Sequence, residues 1–282
     1  MGIKHLNSYL KRTCKTAITP ITLWDIRGKT VVIDASIYMY RFAAQDMLIE
    51  GMYQLTMLLH DHRIRPLYVF DGTPPPEKDE VLQRRRLERA NAYAKYEEMR
   101  AQNKTKQMEM YKRQSTRLKR SEIDEVKRLL TNCGATWYQA TGEADILCAY
   151  LMKINEAWAC MSDDMDMFVY GCARVIRGVN IYKKTAMMYD LSDILTALQM
   201  SFDTFKRICI LSGTDYYKGA GLYSILMKCT STPEESTTLL ETANVTPFEV
   251  PDGLGYEKQF ANHVNELELR KLLSRHGFVF CK

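Results

Sequence analysis

The sequence predicts an α/β protein with a mostly parallel central sheet flanked by helices, a helical insert and a helical C-terminal part. Three observations carry this. Short β-branched or aromatic runs, Thr30 to Asp34 and Pro66 to Asp71, each end on an aspartate and have the near-continuous apolar character of buried parallel strands. Stretches with helical apolar spacing lie between such runs, as in a βαβ unit. A long helix-prone segment from about Glu77 to Arg120 has few large aliphatic residues, so it is expected to project from the core rather than pack in it.

In chain order, Tyr38 to Leu59 is expected to be a helix covering the sheet, with a break at Gly51. Gly72 and Pro74 to Pro76 then end the second strand in a stiff turn. Ser121, with Asp124 three residues later, reads as the start of the helix through Val126, Leu129 and Leu130, which stops at Gly134. Ala135 to Ala140 reads as a strand, and Glu143 opens a helix through Ile146, Leu147 and Leu151. Trp158 to Ser162, Arg174 to Arg177 and Asn180 to Lys183 continue the alternation, and from Leu191 onward the chain reads as mainly helical. The organisation expected is one catalytic body of four parts: residues 1–77, the insert 78–120, 121–229 and a C-terminal part 230–282.

The chain has 282 residues, 46 % hydrophobic and 26 % charged, with a formal net charge of +5. No apolar run approaches the roughly 18 residues of a membrane helix, and the start is too polar for a secretory signal, which predicts an intracellular protein that does not engage membranes. The eight cysteines form no C-x-x-C pair, which predicts free thiols in a reducing compartment. The charge is unevenly placed. Between Lys78 and Arg120 there are fourteen Lys or Arg and six Asp or Glu, a local +8 that leaves the remainder at −3. A cationic element of this kind suits a polyanion, with an acidic site elsewhere.

Acidic residues fall where open α/β sheets gather their chemistry, outside the carboxyl ends of the strands. Asp34, Asp71, Asp164 and Asp166 follow strand-like runs. Glu143 and Asp145 sit in the first turn of a helix, and Asp215 follows Ser212-Gly213-Thr214. Taken singly, each also reads as a turn, cap or helix-dipole residue. Taken together, seven carboxylates at one sheet edge repel one another without cations, and an all-oxygen set without histidine favours Mg²⁺, with Mn²⁺ as a substitute. Two such ions would activate a water and stabilise both oxygens of a phosphodiester displacement.

Six ordered motifs resemble the flap endonucleases of the structure-specific 5′-nuclease superfamily: Met1-Gly2-Ile3, Val32 to Ser36, Val69 to Pro75, Gly142 to Asp145, Asp163 to Asp166 and Leu211 to Tyr216. The resemblance covers roughly residues 1 to 230. It implies a metal-dependent 5′ nuclease that cuts branched or flapped DNA near single-strand/double-strand junctions. The related 5′ exonuclease, the junction resolvase and a scaffold that has lost catalysis stand as alternatives.

By matching position, the resemblance assigns the seven carboxylates to two metal ions and Lys78 and Arg85 to the scissile phosphate. These two are seven residues apart, hence nearly on one helical face. Arg84 and Arg86 flank that face as general phosphate contacts. Tyr40 matches an aromatic that stacks on the base beside the cut, with core packing as its rival reading. Gly2 matches a terminal glycine that lets backbone approach DNA. The insert 78–120 corresponds to the family's helical arch, with Tyr93, Tyr96 and Tyr111 among its cations. Position 145 is Asp where the family usually has Glu. The glycine turn that grips duplex in the family is compressed here, so Gly219 and Gly221 are the expected backbone contacts. No sliding-clamp box is evident near Phe278 and Phe280, and a monomer is expected.

Overall fold

The computed structural model describes residues 2–229, 233–261 and 263–280, so the part boundary expected at 230 lies outside the described residues. The chain opens with α1 (Leu6–Thr13) and an edge strand β1 (Ile18–Thr22), then β2 (Thr30–Asp34), α2 (Ala35–Ala43), α3 (Leu48–Asp61) and β3 (Arg65–Phe70). Along β2 and β3 the side chains alternate between two buried layers. Val32, Leu67 and Val69 face the layer containing Leu147 and Leu211, whereas Val31, Ile33, Tyr68 and Phe70 face the layer containing Leu55 and Leu129. A strand with both faces buried needs apolar residues at every position, which is why these runs are nearly continuous. The Tyr68 hydroxyl, fully buried, is satisfied by Thr56 Oγ1 at 2.8 Å.

The insert forms two helices, α4 (Asp79–Ala101) and α5 (Thr105–Ser115), which pack along each other. Ala92 is the one buried residue of α4 and α5 has none, as the missing apolar face predicted. After it come α6 (Arg120–Asn132), β4 (Thr136–Ala140), α7 (Ala144–Lys153), β5 (Ala159–Met161), β6 (Arg174–Asn180) and β7 (Thr185–Asp190). Then follow α8 (Leu191–Leu198), α9 (Phe202–Ser212), α10 (Leu222–Cys229), α11 (Pro233–Glu241), β8 (Tyr256–Gln259) and α12 (Glu266–Arg275).

Among the described residues the sheet has eight strands in the order β1-β7-β6-β5-β2-β3-β4-β8. The five from β6 to β4 are parallel, and antiparallel strands close both edges. The chain runs outward from β2 through β3 to β4, then returns to the other side of β2 for β5 and β6. This places a topological switch point between β2 and β5, with the carboxyl ends of all five strands on one edge.

Several expectations are corrected. The break in the helical run lies at Ala44–Met47, where Asp46 has φ +56°, and not at Gly51. Gly51 lies inside α3, where a Cβ would fall 2.3 Å from the Phe42 ring. α6 starts at Arg120, where Glu122 Oε2 accepts from Lys119 N at 2.6 Å; Ser121 is not the cap. The segment Ile181 to Lys184 is a turn rather than a strand, since Asn180 Oδ1 accepts from Lys183 N and Lys184 adopts φ +55°, so β6 and β7 form a hairpin instead of a further βα step. The strands β1 and β8 were not foreseen. One holds Pro20, tolerated because it lies at the sheet edge, and the other is the polar run Tyr-Glu-Lys-Gln, held by pairing with β4.

Seven cysteines, Cys14, Cys133, Cys148, Cys160, Cys172, Cys209 and Cys229, are free thiols, all but Cys229 buried. No helix among the described residues is long and apolar enough to cross a membrane. Phe278 packs edge-on against Tyr53 and Phe280 lies beneath Arg270, so the C-terminal aromatics have partners within the chain.

Candidate active site

The switch point brings the predicted carboxylates together. Asp34 ends β2 and is both a helix cap and a member of the cluster: Oδ1 accepts from the amides of Ser36 and Ile37, while Oδ2 lies 3.5 Å from Ser162 Oγ at the end of β5. Asp71, just past β3, accepts from Ser36 Oγ at 2.5 Å and from Ala144 N, the first amide of α7, at 2.9 Å. Its position is set by the loop after it. Gly72 N donates to Gly142 O and Thr73 N to Thr141 O, and a Cβ on Gly72 would lie 2.1 Å from Ala140 O. Only glycine permits this approach, and it holds Asp71 beside the N-terminus of α7, where Glu143 and Asp145 sit.

The Asp163-Asp164-Met165-Asp166 segment sorts its acids by hydrogen bonding. Asp163 turns to β6, accepting from Gly178 N at 2.8 Å. Asp164 N donates to Ser162 Oγ, and Asp164 Oδ1 in turn accepts from Asp166 N at 3.0 Å. Gly2, with φ +74°, lies against this turn, and a Cβ there would fall 2.2 Å from Asp164 Oδ1 and 2.6 Å from Asp166 Oδ1. The structure thus places Gly2 on the acidic cluster itself.

The electrostatics are those of crowded acids. Burial, then the charges of Asp71 and Asp164, pushes the Asp34 carboxyl well above the ordinary range. Burial, then Asp34, Asp164, Asp71 and Asp166, does the same to Asp145. Asp166 is pushed up to about 8 by burial and by Asp164 and Asp215, and its buried Oδ1 has no hydrogen-bond partner.

The insert reaches this cluster from the other side. Lys78, 6 % exposed, places Nζ 2.5 Å from Glu143 Oε1, 3.5 Å from Asp215 Oδ2 and 4.4 Å from the centre of the Tyr216 ring. Burial pushes the Lys78 ammonium down, but Glu143, Asp215 and Asp145 outweigh it and hold the group above its usual value. Arg85 Nη2 lies 2.7 Å from both oxygens of Asp215. The two cations meet on one carboxylate. The Tyr216 hydroxyl donates to Glu143 Oε2. At its other leg the insert is tied down by an ion pair between Lys112 and Asp46.

Arg84 and Arg86 are exposed, and Arg84 pairs with Glu88. Tyr40 is half-buried with Arg89 over its ring at 5.7 Å, whereas its neighbour Tyr38 is core. At the compressed turn, Gly219 packs on the end of α9, where a Cβ would meet Gly213 N at 2.2 Å, and Gly221 N donates to Ser212 O. That amide serves the fold.

Sequence reasoning assigned no role to Ser36, Ser162 or Tyr216, and gave Gly72 only the end of a strand. Ser36 and Tyr216 lie within the quoted motifs, but a hydroxyl has no periodicity to betray its partner. A cavity of about 1500 Å³ is lined by Trp158, Phe202 and Phe248 among others and by none of the seven carboxylates. The acids lie instead along an open sheet edge, which suits a macromolecular substrate rather than an enclosed small molecule.

The donor set is oxygen-rich, contains an orphaned buried oxygen on Asp166, and includes three carboxyls, Asp34, Asp145 and Asp166, pushed up by burial and by one another's charge; each property fits divalent cations. Among the described residues no three histidine, cysteine, aspartate or glutamate side chains are drawn together closely enough to hold a metal as they stand. Lys78 and Arg85 take up oxygens of Glu143 and Asp215 instead.

Comparison with known proteins agrees with this geometry. Residues 1–92 match the XPG N-terminal domain and residues 134–215 the XPG I-region. Flap endonuclease 1 of Leishmania braziliensis is 32 % identical over 238 residues, which cover 77 % of this chain and 60 % of that protein. The chain therefore spans about three fifths of the length of that relative. Flap endonuclease 1 of Debaryomyces hansenii is 29 % identical over 283 residues, 92 % of this chain and 75 % of that protein. Among solved structures, the catalytic core of Rad2 in complex with DNA substrate matches with a TM-score of 0.66 at 20 % identity, covering 97 % of this chain and 95 % of that one. The fold, the acidic edge and the two matched regions, which together span well over half of the residues, establish that this chain belongs to the XPG family.

Proposed function

We propose that the chain is a structure-specific 5′ flap endonuclease, with 5′–3′ exonuclease activity, that hydrolyses phosphodiesters of branched DNA near single-strand/double-strand junctions with two Mg²⁺ ions. The observation that carries this reading is the meeting of Lys78 and Arg85 with Asp215 and Glu143 at the edge where Asp34, Asp71, Asp145, Asp164 and Asp166 gather. The acids and the cations needed for a phosphodiester displacement share one site.

Asp34, Asp71, Glu143, Asp145, Asp164, Asp166 and Asp215 would hold the ions, which when bound lower the pKa of a water and neutralise charge on the phosphate. Lys78 and Arg85 release their carboxylates and turn to the scissile phosphate, where fixed cations favour the more highly charged transition state. Tyr216 keeps Glu143 oriented through its hydroxyl. Tyr40 stacks on the base beside the cut, and Arg89 above its ring joins the phosphate contacts made by Arg84 and Arg86. The α4–α5 hairpin guides the single strand, with Tyr93 exposed for stacking. The set comes from one chain, which supports a monomer, and the free thiols support action inside the cell, at sites of DNA replication or repair.

A 5′-labelled double-flap duplex incubated in Mg²⁺ tests this. A cut within a nucleotide or so of the junction is expected, lost in EDTA and in Asp164→Ala. Tight binding without any cleavage under these conditions would replace the nuclease with an inactive junction-binding scaffold.

A further inference from the structure

The first 24 residues hold Lys4, Lys11, Arg12 and Lys15 and no aspartate or glutamate. In the fold, Leu6 and Leu10 bury one side of α1, Ser8, Lys11 and Arg12 are exposed on the helix, and Lys4 and Lys15 are exposed just before and just after it. None of these four cations makes an ion pair with a carboxylate among the described residues. An unneutralised cationic face is the electrostatic footprint that a polyanion fits. Beside it stands Tyr223 of α10, 42 % exposed, with Arg12 over its ring at 5.6 Å, Tyr9 edge-on at 6.4 Å and His5 at 6.2 Å. The ring holds the guanidinium at the surface while leaving its hydrogen-bond donors free.

Location selects the partner. α1 begins four residues after Gly2, which lies on Asp164 and Asp166, and through Tyr223 it contacts α10, the helix that follows the 213–221 turn, whose amides at Ala220 and Gly221 are engaged by Leu211 O and Ser212 O. The helix is about 12 Å long. That equals the spacing of roughly three to four phosphates along one strand of a duplex.

We propose that the exposed face of α1, with Tyr223 of α10, docks the sugar–phosphate backbone of the duplex arm beyond the cut, supplying the grip that the inward-turned amides at 220 and 221 do not provide. The proposal rests on the branched-DNA reading above, but binding without divalent metal tests it separately from cleavage.

Dissociation constants for the double-flap substrate are measured in EDTA across a range of salt. Each phosphate contact contributes about 0.9 to the slope of log affinity against log salt on duplex DNA. The Lys11→Gln/Arg12→Gln double variant is expected to lower that slope by roughly 1.8, whereas Lys183→Gln, exposed on the β6–β7 turn, should leave it alone. Tyr223→Ala should weaken binding severalfold and Tyr223→Phe should not. If the double variant does not fold, Lys4→Gln/Lys15→Gln carries the same expectation. An unchanged slope overturns the docking surface, as does an equal loss on single-stranded DNA of the same length. Failure of every variant and the parent to cleave in Mg²⁺, with the slope change intact, would overturn the nuclease and not the docking surface.

Discussion

Lys78 Nζ lies 2.5 Å from Glu143 Oε1, so a cation assigned to the scissile phosphate is held by a carboxylate assigned to metal. Asp215 and Arg85 repeat the arrangement seven residues further along the insert. Two of the seven carboxylates are thus paired with cations of the insert, and holding metal on them requires an exchange of partners.

Lys78→Met breaks this pairing. With Lys78 gone, a largely buried carboxylate loses its counter-charge, which costs on the order of 1–3 kcal/mol. Urea denaturation in EDTA should show that loss, and Mg²⁺ should recover more of it than in the parent protein. Single-turnover cleavage should fall roughly 10²- to 10³-fold, the scale for losing one fixed charge-stabilising group.

Tyr216→Phe removes only the hydroxyl that donates to Glu143. A hydrogen bond to a charged group is worth about 1.5 kcal/mol or more, so the Mg²⁺ concentration for half-maximal cleavage should rise roughly tenfold. The ring still packs edge-on against Phe248, and the melting temperature should move by no more than a few degrees. A large drop in melting with no change in Mg²⁺ requirement would make Tyr216 a packing residue alone.

Gly2→Ala places a methyl group 2.2 Å from Asp164 Oδ1 at a backbone angle of φ +74°. The segment must shift away from the acids, and cleavage should fall at least about tenfold, the effect of losing some 1.4 kcal/mol of transition-state stabilisation. Melting should change little, because Gly2 contributes no side chain to the core. Unaltered cleavage would show that the close approach is dispensable.

The raised carboxyls of Asp34, Asp145 and Asp166 make stability depend on pH. Between about pH 4, where unfolded aspartates ionise, and the folded-state values, about 8 for Asp166, the native protein retains protons that the unfolded chain has released. Stability is therefore fully present below about pH 4 as far as these groups are concerned, and is lost as pH rises toward 8. Urea midpoints in EDTA should fall over this window, and Mg²⁺ should flatten the fall. A rise with pH in EDTA would mean that the acids are already ionised and well paired.

The sequence by itself determined the acidic set and the parallel centre of the sheet. Val31 to Ile33 and Pro66 to Phe70 must be buried on both faces because they are apolar at consecutive positions, and an aspartate at the end of such a strand can only lie at the sheet edge. The poverty of large aliphatic residues in 78–120 likewise allowed little besides a projecting element. The tertiary structure alone decided which partners those acids took. Strand order placed Asp34 beside Ser162 across 128 residues, and Arg85 beside Asp215 across 130, distances in sequence over which periodicity carries no information. The same holds for β1 and β8, whose short polar or proline-bearing runs are strands because an edge was free to pair with them. It holds for Gly2 and Gly72, where the reason for glycine is a neighbour's oxygen atom that only the folded chain brings within 2.2 Å.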